Sequence, residues 1–381
     1  MAVALLTTIL ALSALYAPQP LLPAIAREFG VSREMAAFLI TISFIPLSLA
    51  PLAYGYLLES LAPRRLLRIA VLLLASSEVL FFFGGSFPVL VGLRLFQGLL
   101  IPAMLTALMT YISRAARGVE VQRGIAAYIA ATILGGFLGR AGSGAIATVL
   151  NWRFSFLLLA LSLLVCYFLL GRLAENTPTE LVKPTPRAII EVLALPLNRK
   201  LFLTIFCLFL VFAAIMNFIP FRLIEISDRA SDLRIGLMYS GYVMGIVTSL
   251  NAVRIARLLG GEVKTMLLGL LLYVLALLGM TGERPAVLFA IMFVFCGAMF
   301  LVHSTASGLL NRYASGRKGI VNGLYIAFYY AGGVIGSFFP GYVYRSYGWT
   351  FFILTLIAVA LCALVLIYSA RRQAADLIMT K

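Results

Sequence analysis

The first 26 residues, Met1 to Ala26, contain no charged side chain. A helix of about 20 residues, rising 1.5 Å at each, crosses about 30 Å of hydrocarbon and pairs its own backbone polar groups on the way. An uncharged run this long, with no basic start, exceeds the short apolar core of a signal peptide and predicts a retained membrane span. Eleven more apolar runs follow. The twelve expected spans are 1–25, 35–58, 66–84, 88–112, 122–148, 154–172, 200–222, 236–259, 265–281, 286–310, 319–344 and 350–370. This pattern predicts an all-α membrane protein with twelve transmembrane helices.

Composition excludes the alternatives. Hydrophobic residues make up 62% of the chain and charged residues 12%, against about 45–50% and about 25% in a soluble domain. The net charge of +16 would elsewhere suggest nucleic acid, but no continuous polar surface remains for a phosphate backbone, so no nucleic-acid partner is expected. The basic residues report orientation instead. With the N-terminus in the cytoplasm, 20 of the 30 Lys and Arg residues, including all five lysines, fall on the inner side, as the positive-inside rule requires. The expected location is therefore a bacterial-type inner membrane, crossed many times, with both termini cytoplasmic and the lipid bilayer as partner. Trp152 and Trp349 fall at the outer boundary, where an aromatic belt would place them. Cys166, Cys207, Cys296 and Cys362 are far apart and His303 is the sole histidine, so neither a disulfide framework nor a metal site is expected.

The chain also repeats itself. Gly135, Gly136, Gly139, Gly144 and Trp152 recur 197 residues later as Gly332, Gly333, Gly336, Gly341 and Trp349. The same offset lays Tyr128-Ile129-Ala130 on Tyr325-Ile326-Ala327 and Phe154 on Phe351. The fifth and eleventh helices are thus equivalents in a duplicated six-helix unit with parallel repeats. The expected organisation is an N-terminal bundle (1–172), a polar cytoplasmic linker (173–199) and a C-terminal bundle with a short tail (200–381), acting as a monomer. Glycines at i and i+4 let helices approach closely where lipid offers no hydrophobic drive for packing.

Three local motifs now carry a resemblance. Gly55-Tyr-Leu-Leu-Glu59, running on to Arg64 and Arg65, resembles the loop motif of the major facilitator superfamily, with Ser60, Ala62 and Pro63 departing from it. Arg94-Leu-Phe-Gln97-Gly98 is similar to its RxxQG motif. The glycines from Gly135 through Gly139 to Gly144 resemble its antiporter motif, although Arg140 stands at the usual proline position. Within the superfamily, the runs at 16–23, 139–140 and 329–333 resemble the arabinose-efflux or YnfM-type group of drug:proton antiporter-like permeases. The resemblance implies two pseudo-symmetric six-helix bundles and a small-molecule substrate. It also implies a conformational gate, with Gly55, Glu59, Arg64, Arg65, Gln97, Gly98, Gly135 and Gly139 as its motif residues. At the end of the second helix, Glu59 would pair with basic residues or with a helix N-terminus and hold one state closed.

Only Glu78, Arg94 and Arg140 lie well inside the expected spans, and a charge there costs at least about 2.5–3.5 kcal/mol on insertion scales. Arg140 presents a permanently charged, five-donor fork suited to a carboxylate or phosphate. It reads either as an anion-binding substrate residue or as a structural arginine pairing with carbonyls. Glu78 and Arg94 read either as a buried pair that neutralises itself or as a proton carrier with its tuning charge. His303 reads as a hydrogen-bonded structural residue or as the second proton candidate. Tyr16 and Gln19 share a face beside Pro18 and Pro20, which can break the first helix. Asn322, Tyr325 and Tyr329 recur at i, i+3 and i+7 on one face of helix eleven, and Asn217 lies on helix seven. These uncharged polar residues would line a substrate cavity or join helices.

The function that fits is a secondary active transporter working by alternating access, exporting a small amphipathic or anionic organic compound. Its energy would come from a proton gradient, with no cofactor. An organic-anion importer and a lipid flippase are the nearest rivals, and a membrane receptor or scaffold is the reading from another class. An enzyme is not expected, because the chain lacks a GxxxxGK[ST] phosphate loop, an HExxH helix and a GxSxG elbow.

Overall fold

A helix that meets Pro18 and Pro20 cannot continue unchanged, because each proline lacks the N–H that the carbonyl four residues back requires. The first span divides accordingly. Helix α1 (Ala2–Tyr16) stops there, a 3₁₀ turn covers Gln19–Leu21, and α2 (Leu22–Phe29) ends at Gly30 in the left-handed conformation. The structure is a computed structural model. It describes residues 1–60, 62–115, 119–172, 185–228, 230–313 and 318–379, excepting the side chains of 50–60, 63, 113–115, 119–123, 125–126, 318 and 372–379.

The chain continues through α3 (Arg33–Ser60), α4 (Pro63–Phe83), α5 (Phe87–Ala115), α6 (Val119–Val149) and α7 (Trp152–Leu170). After these come α8 (Pro186–Ala194), α9 (Pro196–Ile226), α10 (Asp232–Met238), α11 (Tyr242–Leu258) and α12 (Glu262–Gly279). The last are α13 (Pro285–Tyr313), α14 (Lys318–Phe338) and α15 (Pro340–Met379). No strand occurs among the described residues. Eleven helical segments among them are long and apolar enough to cross a membrane. The 28-residue α3 covers the remaining expected span, 35–58.

Local chemistry explains where the helices depart from the expected spans. Within 173–199, the Thr185 side chain accepts from the Ala188 amide and caps α8, and Pro196 opens α9 at its first turn, where a missing N–H costs nothing. Span 319–344 is interrupted after Phe338 by Pro340. Residues 340–347 form instead the first turns of α15, which bends at Gly348 with φ 82°.

The described residues cluster into two units. One comprises Met1–Lys183 with Asp228–Tyr239, the other Pro184–Ser227 with Ser240–Lys381. In the first, α1 packs on α6, α3 on α5, and α4 on both α5 and α7, with α10 against α6. In the second, α9 packs on α14 and α15, and α13 on α11 and α12.

The glycine repeat appears as two helix crossings built alike. A Cβ on Gly135 or Gly139 would strike the backbone of Ile9 or Ser13 on α1. A Cβ on Gly332 or Gly336 would strike Phe206 or Leu210 on α9, which stand 197 residues after Ile9 and Ser13. The offset read within one helix therefore holds for its packing partner too.

The tryptophans require a correction. Neither faces outward as a membrane belt would. Trp152 is 6% exposed, packs edge-on against Phe81 and Phe156, and donates to Glu28 Oε2 at 2.6 Å. Trp349 is 4% exposed and donates to the Met280 carbonyl at 2.7 Å. Each indole has a protein acceptor inside its own unit, and that fixes the ring inward.

Candidate functional site

The prolines that break the first helix create the first part of the site. Pro18 leaves the Ala14 carbonyl without its helical donor, and the fully buried Arg94 of α5 supplies one. Its Nη1 donates to Ala14 O at 3.1 Å, Nη2 to Leu15 O at 2.6 Å and Nε to Leu39 O on α3 at 3.1 Å. Nη1 also reaches Gln97 Oε1 at 2.6 Å, and Gln97 Nε2 donates to Ser77 Oγ on α4 at 3.2 Å. Gly98 lets α5 approach α3, since a Cβ there would lie 2.7 Å from the Ser43 carbonyl oxygen. Ser43 Oγ in turn donates to the Arg94 carbonyl at 2.9 Å. Arginine, glutamine and glycine of the RxxQG sequence thus cap a broken helix, relay to α4 and permit the crossing.

Glu78, beside Ser77, is completely buried; neither carboxyl oxygen has a partner in good hydrogen-bond geometry, and Gln97 is the neighbouring donor. Arg94 acts on it electrostatically. Glu78 and Arg94 make no direct hydrogen bond, because all three nitrogens of Arg94 are committed to carbonyls and to Gln97, so the attraction between the two acts through space.

The second part centres on Arg140 of α6, 1% exposed. Nε donates to Gln19 Oε1 and Nη1 to the Gly136 carbonyl, both at 2.5 Å. The guanidinium carbon lies 4.0 Å from the Tyr16 ring centre and 5.2 Å from that of Tyr239. Nearby, Ser143 Oγ donates to the Ala17 carbonyl at 2.8 Å, so α6 also holds the break in the first helix. Tyr16, Gln19 and Arg140 meet in one place.

The second unit offers a different chemistry. His303 of α13 and Tyr325 of α14 form a pair in which Tyr325 Oη donates to the His303 carbonyl at 2.9 Å and lies 2.9 Å from its Nδ1. The Tyr329 ring centre is 5.0 Å from that of His303, and the ring stacks on Phe209 of α9. Phe212, Phe295 and Tyr273 continue the aromatic packing. Asn322 does not join this group: it exchanges amide hydrogen bonds with Asn311 at 2.8 and 3.0 Å. Asn217 donates to the Ser337 carbonyl at 3.2 Å, and Ser337 is the counterpart of Arg140 in the second repeat.

Comparison with known proteins agrees with this architecture. The sequence profile of the Major Facilitator Superfamily matches residues 4–262 and 227–377. The chain belongs to the Major Facilitator Superfamily. Among its relatives, the inner membrane transport protein YnfM of Escherichia coli (strain K12) is 28% identical over 349 residues, covering 88% of this chain and 81% of that protein. An uncharacterized transporter of Buchnera aphidicola subsp. Acyrthosiphon pisum (strain APS) is 24% identical over 354 residues, covering 91% and 86%. Two solved structures share the fold. A bacterial homolog of the human lysosomal transporter Spinster has a TM-score of 0.80 at 13% identity, covering 97% of this chain and 96% of that one. The human organic anion transporter MFSD10 has a TM-score of 0.69 at 21% identity, covering 96% and 98%.

As a superfamily member, the chain is a multi-pass membrane transporter. Of the residues that the sequence assigns to a gate motif, Gly98, Gly135 and Gly139 occupy the close crossings described above and Gln97 forms the relay. Arg64 donates to the Gly171 carbonyl, and Arg65 is exposed. Gly55 and Glu59 lie outside the described side chains. Ser43, Ser77, Tyr239 and Asn311 were not singled out from sequence. The only signal they offered was a polar group within an apolar run, which many satisfied helix residues share.

Proposed function

We propose that this superfamily member exports a small amphipathic or anionic organic compound by alternating access, driven by protons returning across a bacterial-type inner membrane, with both chain termini cytoplasmic. The observation that carries the proton coupling is Glu78. A buried carboxylate with no hydrogen bond of good geometry is costly in a low-dielectric interior. Arg94 has its nitrogens engaged elsewhere, and a proton on Glu78 removes the charge. His303, paired with Tyr325, is the second acid–base group in the membrane interior.

Arg140, with Tyr16 and Gln19, supplies the positive charge that selects an anionic cargo. Within the second unit, Tyr325, Tyr329 and His303 form an aromatic cluster suited to an apolar body, while the amides of Asn217 and Asn322, also expected to meet cargo, are bonded instead to Ser337 and Asn311. That the human organic anion transporter MFSD10 shares this fold supports the choice of cargo, and the inner-membrane relative YnfM supports the location.

A cargo is first identified as a compound that raises the unfolding temperature of the purified protein. It is then loaded into proteoliposomes. A proton gradient directed inward accelerates its exit through the wild-type protein, whereas Glu78→Gln exchanges cargo but ignores the gradient. Undiminished gradient-driven exit through Glu78→Gln overturns its role as carrier, and a wild-type protein indifferent to the gradient overturns proton coupling. Near-normal transport by Arg140→Ala removes the anion-selecting role from Arg140.

A further inference from the structure

At one end of the first unit, the start of α4 and the end of α7 enclose a cleft of about 650 Å³, within the roughly 300–1,000 Å³ typical of ligand sites. Its polar wall is three guanidinium groups, Arg64, Arg65 and Arg68, facing Tyr167. Arg64 and Arg68 stand four residues apart, on one stripe of the helix. Arg64 is tied to the Gly171 carbonyl. Arg68 donates through Nη2 to Tyr167 Oη at 3.1 Å, with its guanidinium carbon 4.7 Å from the ring centre. Its Nε is shielded from solvent and has no acceptor. Among the described residues, no acidic side chain lines the cleft.

A second observation points to the kind of anion that this cleft would take. The cleft wall continues into Ile69 and Leu72, which are 43% and 39% exposed, and beyond them along α4 lies Leu73. On α7, Phe168 beside Tyr167 is 72% exposed, and Val165 follows at 58%. A cluster of arginines therefore opens onto apolar helix faces turned away from the bundle. A free phosphate would use the arginines alone, whereas a phospholipid would use both parts.

We propose that this cleft binds the phosphate diester of an anionic phospholipid, with the acyl chains lying along the exposed faces of α4 and α7. Arginine forks match phosphate oxygens bidentately, and basic pockets between transmembrane helices suit acidic headgroups. Arg68 is held ready by Tyr167, and its Nε turns to the phosphate. The site stands apart from the cargo and proton readings and requires only that α4 and α7 span the bilayer.

The test is lipid retention by the purified full-length protein in detergent, read by native mass spectrometry. Phosphatidylglycerol, phosphatidylcholine and inorganic phosphate serve as probes. The wild-type protein retains one phosphatidylglycerol in preference to phosphatidylcholine, and Arg65→Gln with Arg68→Gln weakens that retention by about tenfold. Equal retention by the wild-type protein and this double variant overturns the proposal. Displacement of phosphatidylglycerol by an equal concentration of inorganic phosphate overturns the lipid assignment in favour of a free-anion site. If the glutamine variant does not fold, Arg68→Lys keeps the charge and loses the fork, and Tyr167→Phe removes the hydroxyl that positions it. Both then retain the lipid several-fold less well, and unchanged retention in both overturns the proposal.

Discussion

Where the first and fifth helices of each repeat cross, Gly135 and Gly139 lie against Ile9 and Ser13, and Gly332 and Gly336 lie against Phe206 and Leu210. The backbone frame is the same, but the buried side chains are not. The buried Glu78, Arg94 and Arg140 of the first repeat correspond to the exposed Leu275, the partly buried Ile291 and the buried Ser337 of the second. Leu12, Leu15 and Gly98 correspond to Phe209, Phe212 and Phe295. One repeat buries a polar network around a broken helix, and the other buries stacked rings along α9, which runs unbroken from Pro196 to Ile226.

The crossing between the second and fourth helices shows how one frame accommodates both. In the first repeat Gly98 of α5 provides the close approach to Ser43, next to Phe44. In the second, the counterpart of Phe44 is Gly241, which meets Met292 and Cys296 of α13, and the counterpart of Gly98 is Phe295. Small and large residues have exchanged helices. Because total volume governs whether a core packs, the crossing survives while its chemistry changes, and Phe295 is free to stack on Phe212 and Tyr273.

The largest test of this contrast is Arg94→Met against Ile291→Val. Removing Arg94 strands the Ala14 and Leu15 carbonyls together with Gln97, at a cost of about 3–5 kcal/mol, while Ile291→Val costs about 1 kcal/mol. Thermal unfolding in detergent measures both, and equal losses would show that Arg94 is not what holds the broken helix. Next in size are Gly139→Ala and Gly336→Ala. Each forces a Cβ into facing backbone and costs about 1–3 kcal/mol. The two unfolding temperatures fall together if the crossings are equivalent, and a loss confined to one would break the comparison. Smallest are the tryptophans: Trp152→Phe loses a bond to the Glu28 carboxylate, about 1.5 kcal/mol, and Trp349→Phe a bond to a carbonyl, about 1 kcal/mol. A larger loss at Trp349 would reverse their ranking.

Much of this was legible from the residues. Span length, absence of charge and the glycine offset each follow from a local rule, since a helix in hydrocarbon must satisfy its own backbone whatever lies beside it. The prolines at 18 and 20 announced the break, and the rarity of interior charge singled out Glu78, Arg94 and Arg140. Their partners were not legible. Sequence placed Glu78 and Arg94 at similar depth and suggested a pair. It could not show that carbonyls freed at the end of α1, with the Leu39 carbonyl of α3, would take the arginine instead. It placed Asn322, Tyr325 and Tyr329 on one face, but which of them meets His303 depends on the approach of α13.

The sequence by itself thus determined a helical, duplicated membrane chain and the few residues whose burial must serve some purpose. Only the tertiary structure decided which groups those residues satisfy, whether the tryptophans face lipid or the bundle interior, and where arginines gather beside an exposed apolar surface. The physical reason is one of range. Hydropathy and helix periodicity act over neighbouring residues, whereas a buried hydrogen bond is directional and joins groups as far apart in sequence as Gln19 and Arg140.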